Sequence, residues 1–271
     1  DWAAGARSIS IGVLRSSVGK GWVMKAIAAA EADVKEIVRK DGVGRRRDYF
    51  GTPGRITAEP QGFLVERPYA NARIDPHFHD IDQFQVVVAG DGRIGKREVR
   101  PVTFQYADAF TPYGPIVARD DGISFFTLRN VASGGHFSMP GSKHLMPCRA
   151  GRNIAAVFEQ DGGLVAEGET VREPLMERQE DGVYAEGIRL GANAVADGMP
   201  NDAGGQYYLV CSGSLLADGK DLPERSLIRA NRGENSPTLQ AGELGAAVLA
   251  LQFARPTDRP GSDPRKLAER N

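Results

Sequence analysis

Two stretches of this sequence recur at a spacing of 123 residues. Residues 83–90 (QFQVVVAG) and 206–213 (QYYLVCSG) both contain Gln, an aromatic residue, a β-rich run and a closing Gly. Residues 122–128 (GISFFTL) and 245–251 (GAAVLAL) match at the same spacing. A repeat of fixed period indicates a duplicated structural unit and constrains the fold more than any single motif. We therefore expect two copies of one β domain in tandem.

The glycine and proline content and the placement of turn residues agree with that expectation. Glycine accounts for 33 of the 271 residues and proline for 16, against an ordinary glycine share of about 7%. From residue 62 onward, short β-like runs end at Pro, Asn and Gly turn residues, a pattern typical of sandwiches and barrels. The sequence thus predicts a mainly β protein with two tandem barrels.

One segment predicts a helix. In residues 21–40 the apolar side chains recur at steps of three or four, and a stop signal, Asp41-Gly42, follows. We divide the chain into five parts on this basis: an N-terminal helical arm (1–48), a first barrel (49–148), a connector (149–180), a second barrel (181–256) and a polar, extended or disordered tail (257–271).

Charge and composition exclude several classes of protein. The 34 Lys and Arg residues balance 35 Asp and Glu residues, which argues against a nucleic-acid partner held by phosphate attraction. We find no apolar run of the roughly 18 residues that a membrane span needs and no signal peptide. Cys148 and Cys211 lie far apart in the sequence, so we expect no disulfide framework and a cytoplasmic protein.

The histidines suggest where chemistry would occur. His77 and His79 lie in PHFHDIDQ, and residues two apart on a strand face the same side. Gln83 has the same parity, so three nitrogen or oxygen donors would converge on one face, as a metal centre inside a small barrel requires. The alternative is a pair of hydrogen-bonded core histidines without a ligand.

These residues resemble the first motif of the cupin superfamily, written G-x5-H-x-H-x3–4-E-x6-G. Here it reads Asn71-x5-His77-x-His79-x3-Gln83-x6-Gly90, so both histidines and the closing Gly fit, while Asn and Gln replace Gly and Glu. The second motif, G-x5-P-x-G-x2-H-x3-N, corresponds to Tyr106-x5-Pro112-x-Gly114-x2-Val117-x3-Asp121. The resemblance implies two cupin barrels in one chain, a bicupin with a degenerate metal motif.

The departures from the motif weaken the expected metal site. The family's third histidine is Val117 here, and its carboxylate is Gln83, so the site loses one ligand and its negative charge. The resemblance still implies a divalent transition metal (Fe, Zn, Mn, Ni or Cu), weakly bound or absent, with Zn or Cu held best. At the corresponding positions of the second barrel stand Pro200 and Asp202, and no histidine follows residue 144, so we expect that barrel to be structural.

Several further residues are candidates for the pocket. Arg73 shares the parity of the histidines and would bind a carboxylate or enolate oxygen, or instead form an outward ion pair. Tyr106 or Tyr113 would supply a phenol oxygen, and Phe126 an apolar wall unless it belongs to the core. Val117 leaves an open position for substrate. His136, in loop-like sequence, would fold over the barrel mouth as a substitute ligand or remain an ordinary loop residue.

Two functions remain open. The first is a metal-dependent enzyme that acts on a small organic molecule by dioxygenase-, isomerase- or lyase-type chemistry through His77, His79 and Gln83. The second is a non-catalytic cupin that binds a small ligand or serves in assembly or storage. For both, the resemblance implies a homodimer, and we expect neither a nucleic acid nor a membrane as partner.

Overall fold

A computed structural model describes residues 25–54, 57, 59–147, 149–163, 165–217 and 219–261. Its strands are β1 (Lys25–Ile27), β2 (Asp33–Arg39), β3 (Gly42–Phe50), β4 (Gln61–Arg67), β5 (Arg73–Ile74), β6 (His77–Phe78), β7 (Gln83–Ile94), β8 (Arg97–Val99), β9 (Thr103–Ala107), β10 (Ile116–Arg129), β11 (Phe137–Ser138), β12 (Asn153–Val157), β13 (Thr170–Met176), β14 (Tyr184–Leu190), β15 (Val195–Asp197), β16 (Gln206–Ala217), β17 (Lys220–Pro223), β18 (Leu227–Ala230) and β19 (Thr238–Gln252). Short 3-10 turns cover Ala29–Glu31 and Lys143–Leu145.

The strands form two large antiparallel sheets, one for each barrel. The first has the order β12-β9-β7-β10-β4-β3-β2, with β5 paired to β10 and β8 to β7. The second has the order β1-β18-β16-β19-β14-β13, with β15 on β19 and β17 on β16. Strands β2 and β12 thus belong to the first sheet although they lie outside the predicted limits 49–148, and β13, within the predicted connector, belongs to the second.

The repeat is visible in the strand boundaries. Strands β4, β7 and β10 of the first sheet end 123 residues before β14, β16 and β19 of the second. Gly90 and Gly213 occupy equivalent left-handed positions, with φ of 68° and 67°. At each, a Cβ would lie 2.1 Å from the carbonyl oxygen of Gly122 or Gly245, so no side chain fits there. The predicted duplication is confirmed down to this glycine contact.

The predicted N-terminal helix is wrong over its described part. Residues 25–39 form β1, a 3-10 turn and β2, and β2 pairs with β3 in a hairpin whose register joins Arg39 to Gly42. The Asp41-Gly42 signal therefore marks the end of a hairpin turn and not a helix stop. Val34 and Val38 fit a helix at a spacing of four, but they equally fit one face of a strand. Residues 21–24 of the predicted helix lie outside the described residues.

Alternate side chains of each large sheet point to different regions, one face toward the other barrel and the opposite face into the sheet's own barrel. One face of each large sheet packs against the other barrel, and Phe84, Tyr106 and Phe126 meet Tyr207 and Phe253 in a single apolar core. The interior of the second barrel is filled by an apolar cluster. The interior of the first barrel is polar at one end, and these buried polar side chains are Gln61, Gln83, Gln85, Gln105, Thr127 and Arg129. Among the described residues, the first barrel thus places a charged side chain, Arg129, among these buried amides, whereas the equivalent pair in the second barrel is Gln206 and Gln252.

Among the described residues, no helix is long and apolar enough to cross a membrane.

Candidate functional site

The two motif histidines lie on and just after the short strand β6. His77 is buried and His79 half-buried, and their rings meet edge to face with centroids 5.1 Å apart. The exposed His136 stacks on His77 with a centroid distance of 3.9 Å and an angle of 20° between the rings. The structure thus brings three imidazoles together at one end of the first barrel.

His136 belongs to a loop, residues 131–146, that covers β6 and that we call the lid. Its strand β11 pairs with β6, and Phe137 stacks on Phe78 with centroids 5.0 Å apart. The carboxylate of Asp80 accepts hydrogen bonds from the Ser133 hydroxyl at 2.7 Å and from the Gly134 backbone N–H at 2.9 Å. The lid is therefore fastened by ring stacking at one end and by a carboxylate at the other.

A directed chain of hydrogen bonds runs beneath the histidines. Arg129 donates through Nε and one terminal nitrogen, each at 3.2 Å, to the side-chain oxygen of Gln83. The Gln83 amide nitrogen donates at 2.6 Å to the Tyr113 hydroxyl. Because Nδ1 of His77 must donate to the Asp75 carbonyl at 2.8 Å, its Nε2 accepts the Tyr113 hydroxyl proton at 2.9 Å. These hydrogen bonds fix the tautomer of His77, with the proton on Nδ1.

Arg129 is a buried cation. Its third hydrogen bond is donated to the side-chain oxygen of Gln61 at 2.9 Å, and its guanidinium lies 5.5 Å from the Phe63 ring centroid. Among the described residues no carboxylate forms an ion pair with it. The direct partners of the Arg129 guanidinium among the described residues are thus two neutral amides and an aromatic face, which is an uncommon arrangement for a buried charge.

Burial and this charge shift the protonation of the site. Burial lowers the pKa of His77 to about 4, with His136 and Arg129 adding to the effect. Burial, followed by the charge of Arg129, holds the pKa of His79 well below its ordinary value. Burial also raises the pKa of Tyr113 to about 12. At neutral pH the two imidazoles are therefore uncharged and the phenol keeps its proton.

Four predicted pocket residues lie elsewhere. Arg73 is exposed and its Nε pairs with Asp75 at 2.7 Å, which is the outward ion pair that the sequence left open. Val117 pairs with Arg73 on β5 and with Arg93 on β7. Tyr106 and Phe126 point into the core between the barrels. In contrast, Tyr113 and His136 contact His77 directly, and Gln83 is linked to His77 through the Tyr113 hydroxyl.

Sequence reasoning missed Arg129 and the lid contacts. A signal for Arg129 was present, because Phe125, Thr127 and Arg129 alternate with Phe126 and Leu128 along β10. Polar residues at every second position of a buried strand indicate a polar interior on that side. In β7, Gln83 and Gln85 alternate with apolar residues in the same way, and Gln85 accepts a hydrogen bond from Gln105 at 2.7 Å.

The side chains as arranged do not fit a divalent cation. Both ring nitrogens of His77 are engaged, and the oxygen of Gln83, its metal-binding atom, faces Arg129. The rings of His77 and His136 are nearly parallel, so their lone pairs run side by side and do not converge. Within the described part of the chain, no group of three His, Cys, Asp or Glu residues is arranged to hold a metal. A dication here would also lie beside a buried guanidinium.

Comparisons with known proteins give the fold. No protein-family model matches the sequence, and the search among curated proteins finds no match. A candidate dioxygenase from Nostoc punctiforme is similar in structure, with a TM-score of 0.57, 9% identity and coverage of 92% of this chain and 88% of that one. An oxalate decarboxylase mutant from Bacillus subtilis has a TM-score of 0.57, 12% identity and coverage of 87% and 78%.

A third structure, YhhW from Escherichia coli, has a TM-score of 0.52 and 10% identity, and the match covers 86% of this chain and 98% of that one. At these identities the likeness concerns the fold and not the chemistry. The motif resemblance, the duplicated sheets and these neighbours agree, and the prediction of paired cupin barrels is confirmed. The chain has the two-barrel cupin fold.

Proposed function

We propose that the first barrel binds a small polar organic molecule beneath the lid and that the second barrel is a scaffold. The observation that carries this proposal is the buried hydrogen-bond chain from Arg129 to His77, which ends under a loop that covers β6. Burying a charge is costly unless it is paired and hydrogen-bonded, and the first barrel buries Arg129 with hydrogen bonds to amides but no ion pair among the described residues. In the described part of the second barrel, the equivalent positions hold an uncharged pair, Gln206 and Gln252, beside an apolar cluster.

A metal-dependent enzyme is the second candidate. Its support is that burial keeps His77 and His79 uncharged, the form in which imidazole ligates metals. Ligation by His77, His79, Gln83 and His136 would require the lid and Tyr113 to move. A bound ion would supply Lewis-acid or oxygen chemistry, and the dioxygenase-, isomerase- or lyase-type reactions implied by the family resemblance belong to this candidate. A homodimer likewise remains a proposal.

Ligand binding under the lid is tested by hydrogen exchange. The purified chain is incubated with small organic acids, amides and sugars, and amide exchange is followed across residues 131–146. Slower exchange in the lid with at least one compound, without a change at β13, supports the proposal. Unchanged lid exchange with every compound, together with stoichiometric uptake of Zn²⁺ or Fe²⁺ that is lost in His79→Ala, would favour the metal-dependent candidate.

A further inference from the structure

We infer that the ligand of the first barrel is an organic monocarboxylate and that Arg129 supplies the positive charge that a metal ion provides in the family motif. This inference rests on the proposed function, because it names the ligand class of the same site.

Arg129 has no carboxylate partner in an ion pair among the described residues. Arg129 is 6% exposed, and an unpaired buried charge is strongly destabilising. Asp80 is a carboxylate whose field reaches Arg129, but its oxygens are occupied by Ser133 and Gly134. An anion bound from solution would complete the pair that the described residues leave incomplete.

The Arg129 guanidinium has more hydrogen-bond donors than the described residues offer it acceptors. A guanidinium carries five N–H groups in a planar fork, and three hydrogen bonds to Gln83 and Gln61 are present. Two N–H groups therefore have no acceptor among the described residues. A carboxylate matches this planar donor geometry. The Nδ1 of His79 donates to the Gly135 carbonyl at 2.6 Å, so its Nε2 can accept a hydrogen bond only from a hydroxyl or N–H group elsewhere on the ligand.

The net charge of the site can be compared with that of the family motif. In the motif, a dication with one glutamate gives a centre of charge +1. Here Gln83 is neutral and Arg129 contributes +1. The replacement of glutamate by glutamine and of metal by arginine thus conserves the total charge. A charge of +1 is neutralised by a monoanion, whereas a phosphate dianion would leave the buried site negative.

The second barrel provides the matched comparison. Arg129 pairs in register with Gln83, and the residues 123 positions later, Gln252 and Gln206, pair in the same register. Gln206 donates to Gln252 at 2.8 Å, so this position accommodates a neutral amide pair. Arg129→Gln therefore copies an arrangement that the fold already contains, and we expect the variant to fold.

The test compares carboxylates with their neutral amides. Acetate, propionate and benzoate are titrated into the full chain against acetamide, propionamide and benzamide, with inorganic phosphate as the dianion, and binding is followed by calorimetry and by lid exchange. We expect at least one carboxylate to bind about 10- to 100-fold more tightly than its amide, as a charged hydrogen-bonded pair implies. Arg129→Gln should abolish that preference, while Arg189→Gln, in the second barrel, should keep it.

Metal uptake tests the inference that Arg129 supplies the positive charge that a metal ion provides in the family motif. Gln83→Glu with Arg129→Gln should gain binding of Zn²⁺ relative to the wild-type chain, and His79→Ala should remove that gain. Equal affinity for an acid and its amide, or tighter binding of phosphate, would overturn the ligand class. Stoichiometric Zn²⁺ at the histidines of the wild-type chain would overturn the role of Arg129. If instead no compound protects the lid, the proposed function itself fails, and the two failures are thereby distinguished.

Discussion

Acid should destabilise the first barrel through His77, and the size of the effect follows from its burial. The folded-state pKa of His77 is about 4 against an ordinary 6.5, so the unfolded chain takes up the proton more readily. The resulting stabilisation is complete above pH 6.5 and is lost as the pH falls toward 4. Between pH 7.5 and pH 5.0 this one side chain, 3% exposed, should account for about 2 kcal/mol of the unfolding free energy.

The measurement is urea denaturation of the EDTA-treated chain at both pH values. His77→Gln removes the titrating ring, so its loss of stability between the two values should be about 2 kcal/mol smaller than that of the wild type. His144→Gln changes an exposed histidine of the lid and should leave the wild-type difference intact. An equal acid sensitivity in His77→Gln and the wild type would refute the view that His77 is held neutral by burial.

Three further perturbations probe the core, the lid and the tail. Phe253→Ala removes a fully buried ring between the barrels and should cost about 3–5 kcal/mol in one cooperative urea transition, whereas Leu244→Ala, at a side chain 96% exposed, should cost under about 0.5 kcal/mol. In Gly134→Ala the new Cβ would lie 2.5 Å from an Asp80 oxygen, so amide exchange in the lid should quicken roughly tenfold, while Gly141→Ala should leave it unchanged. Arg259→Ala leaves two buried carboxylates without this partner and should lower the unfolding free energy by about 3 kcal/mol.

Most of the fold could be predicted from the strand periodicity and from the 123-residue repeat. Both depend on local backbone geometry and on repetition along the chain, which a sequence displays directly. The segment around Val34 and Val38 failed because its pattern satisfies both a helix and a strand, and only pairing with β3 decides between them. The tail, expected to be extended or disordered, contacts the first barrel through Arg259 and Asp82, with N–O distances of 2.7 and 2.9 Å. An isolated arginine in polar sequence gives no sign of such a partner.

Side-chain parity describes the structure within one short segment of strand and does not carry across a break between strands. His77 and His79 are two residues apart, and their side chains meet as expected. Arg73 has the same parity, but β5 ends at Ile74 and the chain turns before β6, so the alternation does not carry across. Tyr106 lies in the core between the barrels, and so does Phe126, which is the alternative that the sequence left open for it. Which face of the sheet points into its own barrel depends on the second barrel packed against it.

The comparison of the two barrels indicates what distinguishes the proposed binding site from the equivalent position in the second barrel. Both hold a glutamine at the start of the repeated strand, and both pair it across to the end of the next long strand. In the second barrel the partner is Gln252, and Gln206 also donates to the backbone oxygens of Met199 and Pro200, so the amides satisfy one another. In the first barrel the partner is Arg129, which brings a charge that forms no ion pair with a carboxylate among the described residues. One substitution within a shared framework thus turns a closed amide pair into a site that a bound anion would complete.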